Sequence, residues 1–247
     1  ESLDRHIYRA SKVGDKLDYI SVCSPNYLHD SHIRLALRND CDVICEKPLV
    51  INPDNIKYLY SLEQETNRRV NTILQLRHHN KITSLKEFYK DKSAKSSIDL
   101  KYITSRGNWY LQSWKAQENK SGGLAANIGI HFFDMLIWIF GDPKESLVTE
   151  MTDRTISGCL TLDRAHVNWT LSIDSSRLPK KALEAGLRAY RSLVIDGNEV
   201  DFSSGFSDLH TVAYNNILKG NGFGLQDAVT SLVLCRDIMR GPGTTAY

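Results

Sequence analysis

The stretch CDVICEKPLV, residues 41–50, ends an apolar run with an acid, a base and a proline. Pro48 disfavours the helical region for the residue before it, so Lys47 is held extended at the rim of that run, a cation able to steady a developing negative charge on an oxygen. A second stretch, SGGLAANIGIHFFD, spaces Asn127 and His131 four apart, which on a helix gives them one face, with Asp134 a turn further on. An imidazole there can exchange a proton near neutral pH, and Asn127 could orient it. Plainer readings stand beside these: an end-of-strand lysine paired with Glu46, and a core histidine. RGNWYLQSWK adds Arg106, Asn108, Tyr110, Ser113, Trp114 and Lys115, a mixture that suits a sugar or nucleotide pocket and equally an amphipathic strand pair. His210 and Tyr214 share a helical face in HTVAYNNI.

These residues sit at the ends of elements. The opening segment to about Lys16 has loosely helical spacing, and LDYISVCSP reads as a buried strand stopped by Ser24, Pro25 and Asn26. HDSHIRLALRND predicts a helix, CDVICEKP a strand, NPDNIKYLYSLEQETNR a helix opened by Asn52 and Pro53, and VNTILQLRHH a third strand carrying Gln75 and Arg77. Three strands joined by two helices predict parallel pairing. In such sheets the loops after the strands line the ligand crevice, which places CSPNYLH, EKP and QLRHH together. After the helix HHNKITSLKEFYKD the pattern shifts from Ser96 to alternating strands: IDLKYITSRGNWY, SLVTEMTDR, TISGCLTLD, AHVNWTLSID, AYRSLVIDG and NEVDFS. One helix, LAANIGIHFFDMLIWIFGD, interrupts them, ended by Gly141 with Pro143 after it; helices at DLHTVAYNNILKG and LQDAVTSLVLCRDIMR close the chain. The alternation in HVNWTLSI predicts an apolar exposed face on this second sheet, and hence a homo-oligomer.

Composition narrows the function classes. With 247 residues, 41% hydrophobic, 24% charged and a net charge of +2 without a basic stripe, the chain offers no electrostatic footprint for nucleic acid or a membrane surface. No apolar stretch reaches about 18 residues. Cys23, Cys41, Cys45, Cys159 and Cys235 are odd in number and scattered, which predicts reduced thiols and a cytoplasmic setting. The Cys41 and Cys45 spacing has no second ligand pair, and His78 and His79 lack carboxylates at ligand spacing, so no metal is expected. There is no GxSxG nucleophile motif, and no GxGxxG turn of the kind that opens a dinucleotide fold.

The ordered set CSPNYLHDSHI, ICEKPL, LQLRHH and SGGLAANIGIHFFDML resembles the glucose-fructose oxidoreductase, inositol dehydrogenase and rhizopine-catabolism family over essentially the whole chain. RGNWYLQSWK, NIGIHFFD and FSSGFSDLHT look like the branch that oxidises UDP-N-acetylglucosaminuronic acid at its C3 hydroxyl in bacterial surface-polysaccharide synthesis. The resemblance implies an α/β fold: an incomplete Rossmann-type parallel sheet over residues 1–95, whose first strand and glycine-rich turn would precede this chain, then an α+β domain over 96–247 with a large, mostly antiparallel open sheet for substrate binding and oligomerisation. It implies NAD as cofactor, with NADP left open, a nucleotide-sugar substrate, and a tetramer or dimer. Residue by residue, Lys47 and His131 look catalytic, with the choice of base between them open. Ser24, Pro25, Asn26, His29, Glu46, Lys47 and Trp114 look cofactor-binding. Gln75, Arg77, Arg106, Asn108, Tyr110, Ser113, Lys115, Asn127, His131, His210 and Thr211 look substrate-binding. Asn127 departs from the family, many of whose members have Asp there. Two other readings are a dehydrogenase for a free sugar or inositol and a noncatalytic sugar-nucleotide binder.

Overall fold

The protein's architecture is that of a computed structural model, which describes residues 2–201 and 208–247. The predicted strand 198–203 and the stretch FSSGFSDLHT run partly outside the described residues. The first layer is a three-stranded parallel sheet, order β1-β2-β3, made of β1 (Tyr19–Val22), β2 (Asp42–Cys45) and β3 (Val70–Thr72). Helix α1 (Ser2–Lys12) precedes it, α2 (His29–Arg38) and α3 (Ile56–Thr66) make the crossovers, and α4 (Asn80–Tyr89) follows. Val43, Ile44 and Cys45 are all buried, as a strand covered on both faces requires. At the start of α3, Asn52 Oδ1 accepts from the Asp54 N–H at 3.0 Å, and Pro53 opens the first turn. The third predicted strand is shorter than expected. It stops at Thr72, and Gln75–His78 turn as a short 3₁₀ helix.

The second layer is a seven-stranded sheet. It is built from β4 (Ser96–Thr104), β5 (Pro143–Met151), β6 (Thr155–Leu162), β7 (Ala165–Ser172), β8 (Ala189–Ile195), β9 (Asn198–Glu199) and β10 (Gly243–Ala246), in the order β10-β5-β6-β7-β4-β8-β9. Every pair is antiparallel except β4 with β7. The sequence expected a strand through residue 110. Instead β4 ends at Thr104, and RGNWYLQSWK folds into the short helix α5 (Asn108–Gln112) and a turn at Trp114–Ala116. α6 (Glu118–Ser121) then leads into a π-helical turn, Ala125–Gly129, and α7 (Ile130–Phe140), which Gly141 ends at φ 90°. α8 (Lys180–Glu184) precedes β8.

Helix α7 lies on the inner sheet face. Phe133 meets Trp169 edge to face at 5.4 Å, and Gly129 lets the helix approach β7, since a Cβ there would lie 2.4 Å from Leu171 Cδ1. The helical run Glu118–Phe140 is long and apolar enough to cross a membrane, contrary to the sequence expectation, yet 78% of its apolar 18-residue window is buried in the protein as a core element. The outer face is also unlike the expectation. Ser97, Asp99 and Lys101 on β4, Cys159 on β6, and His166 and Asn168 on β7 point outward, because most apolar positions of these strands, Ile103 excepted, fall on the inner face. The apolar-patch argument for an oligomer therefore fails. The last helices, α9 (Leu209–Leu218) and α10 (Leu225–Ile238), return to the first sheet: Ala213 and Ile217 pack on Ile44 and Ile73, and Thr72 N–H donates to the Phe223 carbonyl at 2.8 Å.

Candidate active site

At the carboxyl end of β2, His29 anchors the EKP segment. One ring nitrogen lies 2.7 Å from the Pro48 carbonyl and the other 2.8 Å from the Ser24 carbonyl, and the Lys47–Pro48 peptide is cis. His29 is buried, and burial pushes its pKa down from the usual histidine value. Lys47, thus aimed, donates its Nζ proton to the Asn127 carbonyl at 2.8 Å. That carbonyl belongs to the wider π-helical turn, a form of helix often found at functional sites.

The result is a cavity of about 220 Å³ between the two sheets. Lys47 and Gln75 border it from the first sheet, Asn127 and His131 from the helical segment, and Tyr102, Arg106 and Arg191 from the second. Burial pushes the Lys47 ammonium down to about 8; Glu46 opposes that shift, and Lys115 and Arg106 add to it. His131 is driven well below 6.5, by burial first and by the Lys47 charge second, so its imidazole is neutral at pH 7. A neutral imidazole and a cation on one cavity can remove a proton from a hydroxyl and stabilise the oxygen left behind.

Lys47, Gln75, Arg106, Asn127 and His131 thus come together as the sequence suggested; the other candidates do not reach this cavity. Arg77 is buried and held by both Asp134 oxygens, at 2.7 and 3.0 Å, and by Asp227 at 3.1 Å, so its guanidinium ties elements together away from this cavity. Tyr110 is buried, its hydroxyl accepting from Asn127 Nδ2 at 2.6 Å, so one donor of the Asn127 amide is engaged by the tyrosine. Ser113 closes a local turn by donating to the Tyr110 carbonyl, and Asn108 is exposed on α5. His210 Nε2 lies 3.0 Å from Glu46 Oε1, so these two residues meet each other, with Thr211 exposed beside them on α9. Ser24 Oγ pairs with His32 Nδ1 at 2.9 Å, Pro25 leads into the turn Asn26–Leu28, and Asn26 Nδ2 donates to the Ser121 carbonyl at 2.8 Å; this loop frames the crevice. Trp114 stands edge-on to Tyr27, and Lys115 lies 5.5 Å from the Trp109 ring.

Sequence reasoning missed Tyr102, Arg191, Leu76, Ile128 and Phe132 on the cavity. Tyr102 and Arg191 are paired across β4 and β8, a register that alternation within either strand does not reveal. Two polar atoms at the end of β3 stand out: Gln75 Oε1 and Thr72 Oγ1 are buried with no hydrogen-bond partner among the described residues. An unmet acceptor on the cavity suits the amide of a nicotinamide ring, so the residues present fit such a group. Among the described residues no cluster of three His, Cys, Asp or Glu could hold a metal. All five cysteines are free, with Cys23 and Cys159 exposed and the other three buried.

Fold and cavity define a class, a strand-helix nucleotide-type sheet whose lysine meets a histidine carried by an open antiparallel sheet. Comparison with known proteins agrees. Residues 6–73 match the oxidoreductase family's NAD-binding Rossmann fold, and residues 96–174 match its C-terminal alpha/beta domain. The WlbA (WbpB) dehydrogenase from Thermus thermophilus, solved in complex with NAD and alpha-ketoglutarate, is 44% identical over 98% of this chain and 78% of that one, with a TM-score of 0.93. The same dehydrogenase with NAD and UDP-GlcNAcA gives 43% identity, 100% and 79% coverage, and a TM-score of 0.92. D-glucoside 3-dehydrogenase from Escherichia coli (strain K12) is 28% identical over 52% of this chain and 37% of its own length. The chain spans about a third of the length of the curated relatives it matches. It belongs to the glucose-fructose oxidoreductase, inositol dehydrogenase and rhizopine-catabolism family of oxidoreductases.

Proposed function

We propose that the protein is an NAD-dependent dehydrogenase that oxidises the C3 hydroxyl of UDP-N-acetylglucosaminuronic acid, in the cytoplasm and for bacterial surface-polysaccharide synthesis. The observation that carries this reading is the convergence of Lys47 and His131, 84 positions apart in the sequence, on one cavity. Support for the substrate comes from the 43% identity to a dehydrogenase solved with NAD and UDP-GlcNAcA. When bound, the dinucleotide supplies the hydride acceptor. His131 takes the hydroxyl proton on its neutral ring. Lys47, steadied by the Asn127 carbonyl, turns its remaining N–H donors to the same oxygen and stabilises the charge that develops there. Gln75 Oε1 would hold the amide of the nicotinamide, and Arg106 would pair with the sugar carboxylate.

Hydride transfer by the full-length protein, followed by reduced-cofactor absorbance with NAD or NADP against UDP-sugars, free polyols and glucosides, tests the reading. Turnover of the UDP-sugar acid with NAD is the expected result. A preference for inositol or a free sugar would reject the nucleotide-sugar substrate, and no turnover of any of them would reject the enzyme. Arg106→Ala should lower turnover of the acid more than that of its neutral parent, by about 10- to 100-fold for a charge-assisted hydrogen bond. Equal losses would move the carboxylate elsewhere. A homo-oligomer, tetramer or dimer, is proposed on family likeness; a monomer by light scattering at micromolar concentration would reject it.

A further inference from the structure

The π-helical turn Ala125–Gly129 is gripped from outside on two of its carbonyls. The Asn127 carbonyl accepts from Lys47 Nζ at 2.8 Å, and the Ala125 carbonyl accepts from the thiol of Cys235, on α10, at 3.4 Å. Helix α10 lies directly on this segment. A Cβ on Gly123 would stand 2.4 Å from Met239 Cε, just past the end of α10, and Gly122 and Gly123 both take positive φ, 78° and 71°, on the way into the turn. Next to this contact a cavity of about 320 Å³ is bordered by Ile51, Ala126, Leu232, Cys235 and Met239 among others. Packing therefore leaves the turn room to relax, and a π turn is the rarer form of helix. Tightening to α-helical spacing would shift the register by one residue, about 100° round the helix axis, and take the Asn127 carbonyl away from Lys47. A specific contact has to oppose that shift, and the buried thiol is placed to make it.

Resting on the dehydrogenase reading of the reaction cavity, we propose that Cys235 is a positioning residue for that reaction: its thiol, bonded to the Ala125 carbonyl, holds the π turn in the register that aims the Asn127 carbonyl at Lys47. The charged and titratable groups about Lys47 are Glu46 in its own segment, Lys115 and Arg106 from the second sheet's side, His131 on α7 and the Cys235 thiol itself. Burial pushes that thiol far above its ordinary value, so it keeps its proton, and its donor, throughout the working range. The hydrogen bond to Asn127 favours the charged form of Lys47. If the turn relaxes, the buried ammonium loses that acceptor, and its pKa falls below the present value of about 8. Cys235 thus acts on the cavity through the backbone of the π turn, without touching the substrate.

NMR titration of protein isotope-labelled at lysine Cε tests this without any turnover, the Lys47 signal being the one missing from Lys47→Arg. Cys235→Ala removes the donor and should lower the Lys47 pKa by about one unit, the equivalent of a lost hydrogen bond to a charged group, and bring the alkaline limb of kcat/KM down with it. Cys235→Ser restores a donor and should return both to the wild-type pH. Cys235→Val fills the space without a donor and should titrate as Cys235→Ala does, which keeps the comparison if the alanine variant does not fold. A Lys47 pKa unmoved in Cys235→Ala and Cys235→Val, or lowered as much in Cys235→Ser, would overturn the positioning role and leave the dehydrogenase reading as it stands. A pKa that falls without the donor and recovers with serine, in a protein that oxidises no sugar, would keep the hold of Cys235 on Lys47 and reject the dehydrogenase.

Discussion

At the scale of single residues, the roles we propose for Lys47 and His131 rest on their opposite protonation. His131 sits well below 6.5 and Lys47 at about 8, so between these limits the pair holds a neutral base and a cation together. Activity expressed as kcat/KM should therefore rise as His131 loses its proton, on an acid limb below 6.5, and fall as Lys47 loses its own near 8. Were Lys47 the base, activity would rise through pH 8 instead. Lys47→Arg should be slower, since a guanidinium does not reproduce a point ammonium, and should lack the alkaline limb; a limb retained near 8 would remove Lys47 from the assignment. Behind them, we propose that Tyr110 acts as a positioning residue through Asn127, whose side-chain amide donates to its hydroxyl. Tyr110→Phe leaves Asn127 Nδ2 without its acceptor, and we expect kcat to drop about fivefold, as for one hydrogen bond of ~1 kcal/mol, with a displaced alkaline limb. An unchanged pH profile would make Tyr110 merely structural. That Lys47 and His131 are candidates for one cavity was legible in the sequence because Pro48 and the helical spacing mark them locally. The occupation of Arg77, Tyr110 and His210 by Asp134, Asn127 and Glu46 was not, because each partner is distant in the chain.

At the scale of elements, the cavity depends on how the turn Gln75–His78 is pinned. Arg77 reaches from that turn to Asp134 on α7 and Asp227 on α10, and its guanidinium lies 4.8 Å from the Phe223 ring. Removing one partner of a buried ion pair leaves charge without compensation, which costs about 3–5 kcal/mol. Asp134→Ala should lower denaturant stability by that order, whereas Asp227→Ala, which removes a half-exposed partner, should cost less; equal and small losses would show that the turn is held by packing alone. The elements themselves were readable wherever periodicity was strong, as in α2, α3 and the alternating strands β4 to β7. They were misread where a few residues serve a local turn. RGNWYLQSWK alternates like a strand, yet Gly107, the Ser113 hydroxyl and the Trp114–Ala116 turn fold it into short helices at the cavity. The π-helical turn at Ala125–Gly129 carries no pattern that separates it from an ordinary helix, although it presents the carbonyl that holds Lys47.

At the scale of the molecule, we propose that residues 1–95 and 96–247 remain two functional regions, the first for the cofactor and the second for the substrate, that do not fold apart. The chain order suggests two modules, since β1, β2 and β3 all precede β4. Spatially the modules interlock. α9 and α10 come from the second region and cover the first sheet, Phe223 bridges to Thr72, and one apolar cluster runs from Val22, Val43 and Leu37 through Leu76 to Phe133, Trp169 and Leu171. The return of the last helices was hidden from the sequence, because periodicity says that a helix has an apolar face and not which sheet will receive it. The cavity lies on this shared boundary, so Lys47 and His131 keep their relation only while both layers are docked. Chains beyond about 150 residues often unfold in stages, which makes cooperativity here a distinguishing outcome. Thermal unfolding followed by far- and near-ultraviolet circular dichroism should give one coincident transition, and Leu76→Ala should lower its midpoint without splitting it, at a cost of about 2–5 kcal/mol for a buried leucine. Two resolved transitions, with Leu76→Ala moving only one of them, would show that the two regions fold independently and that the cavity forms by docking finished parts.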